Sequence, residues 1–399
     1  MNVQDPKPSV LIEPTIECET KLDESLMLSN PLAYRRPNGT IECYACGRRC
    51  KIEPGRVGFC GVRANANGKL NLLTYGRIVT GHVDMIEKKP AYHYQPGSKL
   101  LSIGSVGCNW SCDFCINSPI SQSHKIVGEK LSPEQVIELA ESLECDGVAY
   151  TYNEPLVSLE FARDTGLLAH KEGLFNVVVT NGYGTPEAMN VLSTFADCVT
   201  VGVKGNASNI FLRRHSGISN ADPMFSTLQD LKRSKIHVEI SNLIIGQGGD
   251  SLKDANSLCR WITAELGSDT PIHFIPFFFA PSLDLSSFYS TSVEILKAHC
   301  KTAMDAGLTY VYVANFPGHE LENTYCPKCK IIVIERFGYE VRSWNLDDHN
   351  RCLSCGYSIP IVGRLTQTPL EERYAPVIFP PMDLQFVCEG LTAFPSKSE

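Results

Sequence analysis

The stretch Lys99-Leu-Leu-Ser-Ile-Gly-Ser-Val-Gly-Cys-Asn-Trp-Ser-Cys-Asp-Phe-Cys115 joins a short apolar run to three closely spaced cysteines, Cys108, Cys112 and Cys115. Lys99–Gly104 reads as a strand buried on both faces, which is how parallel strands read in sequence. The cysteines are spaced by three residues and then two, with no fourth nearby. Iron–sulfur cubanes usually take four thiolates. Three leave one iron without a protein ligand, and an open coordination position is where a metal site does chemistry rather than scaffolding. The competing reading of the same three thiols is a structural zinc site.

Working outward, further apolar runs predict strands at Val148–Tyr152, Asn176–Thr180, Val199–Val203, His237–Ile244, Ile272–Phe277 and Thr309–Val313. Helix starts lie between them. Ser132-Pro133-Glu134-Gln135 supplies a cap, a proline at the first helical position and a capping-box partner. Thr291 with Glu294 and Ser251 with Asp254 predict two more starts. Val136, Ile137, Ala140 and Leu143 place one apolar face against the sheet. Seven strands alternating with helices mean a parallel α/β fold, either doubly wound or a barrel. The cysteine loop follows the first strand, at the carboxyl edge where both folds keep their active sites.

Two more cysteine sets flank this core. Cys43, Cys46, Cys50 and Cys60 fall within eighteen residues, among Gly47, Gly55, Gly58 and Gly61. Thiolates suit zinc and an auxiliary iron–sulfur cluster equally, and the spacing does not choose between them. Cys326-Pro-Lys-Cys329 and Cys352-Leu-Ser-Cys355 are two CxxC knuckles 22 residues apart, with a predicted hairpin of Ile331–Glu335 and Tyr339–Ser343 turning at Phe337-Gly338. This zinc-ribbon pattern predicts a closed, structural zinc site, with an auxiliary cluster as the competitor; His349 reads as a solvated loop histidine in preference to a substitute ligand. Cys18, Cys145, Cys198, Cys259, Cys300 and Cys388 lack partner spacing and read as small hydrophobes. The expected divisions are an N-terminal arm (1–40), a Cys-rich module (41–97), a core domain (98–320), a zinc-ribbon-like module (321–365) and a C-terminal arm (366–399).

The 399 residues are 43% hydrophobic and 20% charged, as in ordinary globular proteins. No apolar run approaches the roughly 20 residues of a membrane span. The start Met-Asn-Val-Gln-Asp-Pro lacks a basic region and an apolar stretch, so no secretory signal is expected. Seventeen cysteines without such a signal predict metal ligands in a reducing cytoplasm rather than disulfides. A net charge of −8 argues against a whole-surface grip on nucleic acid.

With Phe114, the three cysteines complete a CxxxCxΦC pattern that resembles the signature of radical S-adenosylmethionine (SAM) enzymes. Within that superfamily the chain resembles the radical SAM proteins of the AmmeMemoRadiSam system, relatives of pyruvate formate-lyase activating enzyme. The matching pieces are Cys43-Tyr-Ala-Cys-Gly-Arg-Arg-Cys50, Gly58-Phe-Cys-Gly-Val-Arg63, Glu87-Lys-Lys-Pro90, Ser105–Asn117, Ile120-Ser-Gln122, Tyr150-Thr-Tyr-Asn-Glu-Pro155, Val179-Thr-Asn-Gly182, Tyr310–Asn315 and Asn323–Cys329. They run in order over residues 41 to 363.

The resemblance implies a partial TIM-type (β/α)6 barrel with a 4Fe-4S cluster on Cys108, Cys112 and Cys115. Reductive cleavage of SAM would then give a 5′-deoxyadenosyl radical that abstracts hydrogen from a substrate, which is a protein glycine in activating-enzyme relatives. Tyr152-Asn153-Glu154 takes the place of the superfamily's Gly-Gly-Glu segment, with Glu154 accepting from the SAM ammonium. Lys204 matches a lysine placed to pair with the SAM carboxylate, and Phe114, Asn153 and Asn181 are further cofactor-site candidates. The implied partners are a low-potential donor such as ferredoxin or flavodoxin, and AMMECR1-like and Memo-like proteins. Two departures stand out: Gly202 replaces the acidic residue of the family's Asp-Leu-Lys segment, and Ile275-Pro-Phe-Phe-Phe279 after His273 makes the barrel mouth apolar. Two rivals are a radical SAM methylase or maturase acting on RNA or a peptide, and a non-enzymatic multi-zinc or electron-carrier protein.

Overall fold

The computed structural model describes residues 31–278, 288–366 and 374–377. Residues 1–30 of the expected N-terminal arm, most of the 366–399 arm, Phe279 and the cysteines Cys18 and Cys388 lie outside the described residues. Seven strands form one parallel sheet in chain order: β1 (Lys99–Gly104), β2 (Gly147–Tyr150), β3 (Phe175–Thr180), β4 (Cys198–Lys204), β5 (His237–Ile244), β6 (Ile272–Pro276) and β7 (Val311–Val313). The connecting helices are α1 (Pro133–Ser142), α2 (Leu159–Lys171), α3 (Pro186–Leu192), α4 (Asn209–His215), α5 (Asp222–Arg233), α6 (Leu252–Glu265) and α7 (Val293–Asp305). Six strand–helix units and a seventh strand therefore make up the core. β1 pairs outward with an antiparallel strand, Thr80–Met85, rather than with β7, so the curved sheet stays an open, partial barrel.

Strand burial explains the apolar runs. Leu101, Val148, Val178, Val199, Val201, Ile240 and Ile272 are wholly buried, and Leu101 faces Val148 across the β1–β2 register. Truncating one such side chain to alanine costs about 2–5 kcal/mol, because the cavity it leaves only partly collapses. Strand β2 ends at Tyr150, short of the expected Tyr152, because Tyr152 turns to a φ of +71°, outside extended backbone. Its hydroxyl reaches His82 Nδ1 and Asp84 Oδ2, both at 3.0 Å, which holds it there.

The capping box at α1 forms in full, and Ser251 caps α6 by accepting from Asp254 N. The third expected start is displaced by one residue. Ser292, not Thr291, caps α7, accepting from Ile295 N. Thr291 Oγ1 is drawn instead to the strand ends, accepting from Phe277 N at 2.9 Å and donating to Ile244 O at 2.5 Å.

Around Cys43–Cys60, strands Ala33–Arg35, Ile41–Cys43 and Lys51–Ile52 form a small antiparallel sheet. The C-terminal hairpin pairs Ile332–Phe337 with Glu340–Trp344 and turns one residue later than expected, because Gly338 carries the positive φ of +63°. Buried Arg336 locks this hairpin onto the core, donating to Tyr92 O at 3.0 Å and Thr324 Oγ1 at 2.8 Å, with its guanidinium over the Tyr92 ring.

Candidate active site

The Cys108–Cys115 loop leaves the carboxyl end of β1 and is pinned from three sides. Asn153, just past β2, donates through Nδ2 to Gly107 O at 2.9 Å and Ser105 Oγ at 3.1 Å, and its Oδ1 accepts from Ser105 N. From beyond β3, Asn181 Nδ2 donates to Asn109 Oδ1 at 2.7 Å, while its own Oδ1 accepts from Tyr183 N. At the end of α4, the carbonyls of His215 and Ser216 accept from Asp113 N and Ser111 N. Gly217, at φ +64°, permits that approach: a Cβ there would sit 2.3 Å from Ser111 Oγ.

Within the loop Cys108 Sγ accepts from Trp110 N at 3.4 Å, and Cys115 Sγ lies 3.3 Å from Ser121 Oγ. Burial pushes the Cys108 thiol well above the ordinary range and Cys112 up to about 12. Metal ligation must therefore displace their protons, and loading is favoured by rising pH. Phe114 is buried, with its ring 5.6 Å from Phe211 and 5.8 Å from Phe288 between centroids, so it anchors the loop in the core.

Glu154 follows β2 and is 2% exposed. Thr180 Oγ1 at 2.6 Å and Leu156 N at 3.0 Å donate to one carboxylate oxygen, and Asn181 N at 2.8 Å donates to the other. A carboxylate has about four acceptor positions, so one remains for a further donor. Burial pushes Glu154 up to about 7 in spite of these donors.

Lys204 ends β4. Its ammonium lies over Gly202, 3.2 Å from where a Cβ would stand, so the missing side chain makes the room it occupies. Burial lowers the Lys204 pKa, while Cys112, Cys115, Cys108 and Glu154 pull the other way. Three thiols, a buried carboxyl and an ammonium thus share one electrostatic neighbourhood at the carboxyl ends of β1, β2 and β4.

The barrel mouth beside them is aromatic. Phe277 is buried against Phe288, and half-exposed Phe278 stacks on Phe316 at 6.4 Å. His273 faces elsewhere, buried and hydrogen-bonded through Nε2 to Glu239 at 2.6 Å.

The other cysteine sets differ from the loop. Cys326, Cys329, Cys352 and Cys355 bring all four sulfurs within 4.8 Å of one another, with Cys326–Cys355 at 3.5 Å and Cys329–Cys352 at 3.6 Å. Zn–S bonds of about 2.3 Å imply tetrahedral S–S edges of roughly 3.8 Å, so the quartet fits one ion of that size. His349 is outside the group. Among the described residues neither the loop triad nor Cys43, Cys46, Cys50 and Cys60 converges in this way. The latter four do line a common cavity, with Arg48 and Arg63 at its wall.

Several participants carry no sequence signal of their own. Thr180 is an ordinary strand threonine until Glu154 is folded against it, and Asn109 and Arg48 sit inside motifs without a spacing that marks them. Asp84, paired with Lys88 at 2.6 Å and Lys89 at 2.7 Å, explains the Glu87-Lys-Lys-Pro90 match.

A model of the Radical SAM superfamily matches residues 102–262. An uncharacterised protein of Methanocaldococcus jannaschii is 38% identical over 325 residues, covering 81% of this chain and 96% of its own. Among solved structures, a domain of pyruvate-formate lyase-activating enzyme from Bacteroides vulgatus is similar at 15% identity, with a TM-score of 0.37 over 42% of this chain and 99% of that one. A radical SAM methyltransferase from Sphaerobacter thermophilus is similar at 16% identity, with a TM-score of 0.42 over 55% of this chain and 67% of that one. No helix among the described residues is long and apolar enough to cross a membrane.

Proposed function

We propose, from the match of residues 102–262 to the Radical SAM superfamily, that Cys108, Cys112 and Cys115 hold a 4Fe-4S cluster and that Glu154 and Lys204 hold SAM against it. The observation that carries this reading is the donor set itself: three loop thiols in the electrostatic field of one buried carboxyl and one ammonium. When bound, the cluster would supply one electron to the SAM sulfonium, breaking its C5′–S bond to give methionine and a 5′-deoxyadenosyl radical.

The chain's residues divide the remaining work. Glu154 keeps one acceptor position for the SAM amine, in a site dry enough for a charge-assisted hydrogen bond to be strong. Lys204 offers its ammonium to the carboxylate of the same ligand. Asn153, Asn181 and Phe114 act as positioning residues, since their polar atoms or ring faces are already spent on holding the loop. The buried rings of Phe277 and Phe288, packed beside Phe114, keep water from that side of the site, which protects a radical from quenching.

Hydrogen abstraction from a substrate presented at the barrel mouth, as in the pyruvate formate-lyase activating enzymes, is the reaction we favour. A ferredoxin- or flavodoxin-class protein is the proposed reductant, and AMMECR1-like and Memo-like proteins are proposed partners. We assign zinc to the C-terminal quartet on its single-ion spacing. Cytoplasmic residence follows from the need for reduced thiols.

The test is 5′-deoxyadenosine formation from SAM under dithionite in anaerobically reconstituted protein. The wild type should form it, and the variant with Cys108, Cys112 and Cys115 all changed to alanine should form none. Undiminished product in that variant contradicts the assignment.

A further inference from the structure

We propose that Cys43, Cys46, Cys50 and Cys60 bind a second iron–sulfur cluster, directly beside the loop triad, rather than a zinc ion. This inference concerns a site outside the radical SAM loop and does not depend on the roles given to Glu154 or Lys204.

The four thiols come from three pieces of chain that the fold brings to one place. Cys43 ends a short strand, Cys46 and Cys50 lie in the turn that follows, and Cys60 arrives from the loop before strand Arg63–Ala66. All four line one cavity, together with Arg48 and Arg63. Backbone amides two residues on face three of the sulfurs: Ala45 for Cys43, Arg48 for Cys46 and Val62 for Cys60. The same offset recurs at Cys108 with Trp110, at Cys329 with Ile331 and at Cys355 with Tyr357. An amide aimed at sulfur from that position stabilises the thiolate a metal needs, and it tunes the metal in turn.

Size separates the two candidate occupants. The C-terminal quartet shows what this chain does for a single ion, with all four sulfurs inside 4.8 Å. Among the described residues the N-terminal quartet shares one cavity but is not drawn to that spacing. A multi-iron core with its own bridging sulfides needs the wider set, and thiolates suit it as well as they suit zinc.

Charge and proximity add to this. Arg63, 2% exposed, forms a two-pronged pair with Glu160 at 2.5 and 2.8 Å on one wall. Arg48 forms the opposite link: its guanidinium donates to the carbonyl of Asn109, inside the loop triad, and at 2.6 Å to that of Gly217, which packs against Ser111 of the same loop. It also lies in the field of Cys46, Cys50 and Cys108 together. The backbone closes the gap further, because a Cβ on Gly107 would stand 2.8 Å from Cys60 O. One cation thus bridges two thiol sets that are packed neighbours, as suits two anionic clusters held close together.

The full-length chain is reconstituted anaerobically with 57Fe and sulfide and examined by metal analysis and Mössbauer spectroscopy. The wild type should hold two cubanes, about eight iron per chain. With Cys108, Cys112 and Cys115 changed to alanine, about four iron should remain, along with an EPR signal on reduction that SAM does not alter. With Cys43, Cys46 and Cys50 changed to alanine, about four should remain and SAM should alter their signal. In the wild type the two reduced centres should broaden each other's EPR lines. The proposal is overturned if the loop variant keeps zinc and no iron, or if the wild type holds a single cubane. About eight iron together with a single zinc, which then occupies the C-terminal quartet, decides the matter in the wild type even if a variant fails to fold. Loss of the SAM response with two cubanes present would contradict the proposed function and leave this second site standing.

Discussion

The cysteines at 326–355 and those at 108–115 use the same side chain in opposite ways. In the ribbon, two knuckles on a hairpin bring four sulfurs within 4.8 Å, and the donors surround the position an ion would take. In the loop, three sulfurs share the field of a carboxyl and an ammonium, and the aromatics Phe288 and Phe277 pack beyond Phe114. A complete donor shell saves a small hairpin that could not bury enough apolar surface alone. An incomplete one leaves a metal position free to bind a ligand. The fold matches each to its place: the ribbon is fixed to the flank by Arg336, and the loop sits at the carboxyl ends of the strands.

The largest way to break that contrast is to remove one sulfur from each set. Cys352→Ser should release the ribbon's metal and destabilise residues 324–362 by at least about 3 kcal/mol, read as faster amide exchange there. SAM cleavage per folded molecule should survive. Cys112→Ser should do the reverse, abolishing cleavage with little change in exchange at the ribbon. Equal loss of cleavage in both variants would erase the distinction between closed and open sites.

A smaller effect sharpens the open side. Glu154→Gln removes the charge but keeps the shape, so SAM should bind about tenfold or more weakly, read by equilibrium dialysis. An unchanged Kd would remove Glu154 from the ligand site.

The smallest effect is a pH slope. The folded, SAM-free chain holds the Glu154 proton up to about pH 7, whereas an unfolded chain releases it in the ordinary carboxylate range near 4.5. Between those values the folded state binds more protons, so its stability falls as pH rises, by at most about 3 kcal/mol in total. Glu154→Gln should flatten that part of the urea-unfolding profile between pH 4.5 and 7. A profile identical to the wild type would place the titration on another group.

Much of this was legible in the sequence because burial on both faces leaves unbroken apolar runs, and those runs located all seven parallel strands. Capping chemistry is local, so the starts at Ser132 and Ser251 could be read directly. Thr291 could not, because its competition for strand-end backbone groups exists only after β5 and β6 are side by side. The open sheet edge was hidden for the same reason: nothing local in Thr80–Met85 says that it lines up against β1. Cysteine spacing identified three thiol sets, while the drawing together of Cys326, Cys329, Cys352 and Cys355 within 4.8 Å, alone among the described residues, emerged only in three dimensions. Thr180 and Arg48 act on groups 26 and 61 residues away in sequence, beyond the reach of any motif.

The central claim is an iron with a vacant position at the loop triad that SAM fills. Electron–nuclear double resonance on the dithionite-reduced protein, given SAM labelled with 15N at the amine and 17O at the carboxylate, measures this directly. The account predicts hyperfine coupling of both labels to the cluster, lost when Cys108, Cys112 and Cys115 are changed to alanine. A reduced cluster at this loop that shows no coupling to either label, with SAM bound, would contradict it.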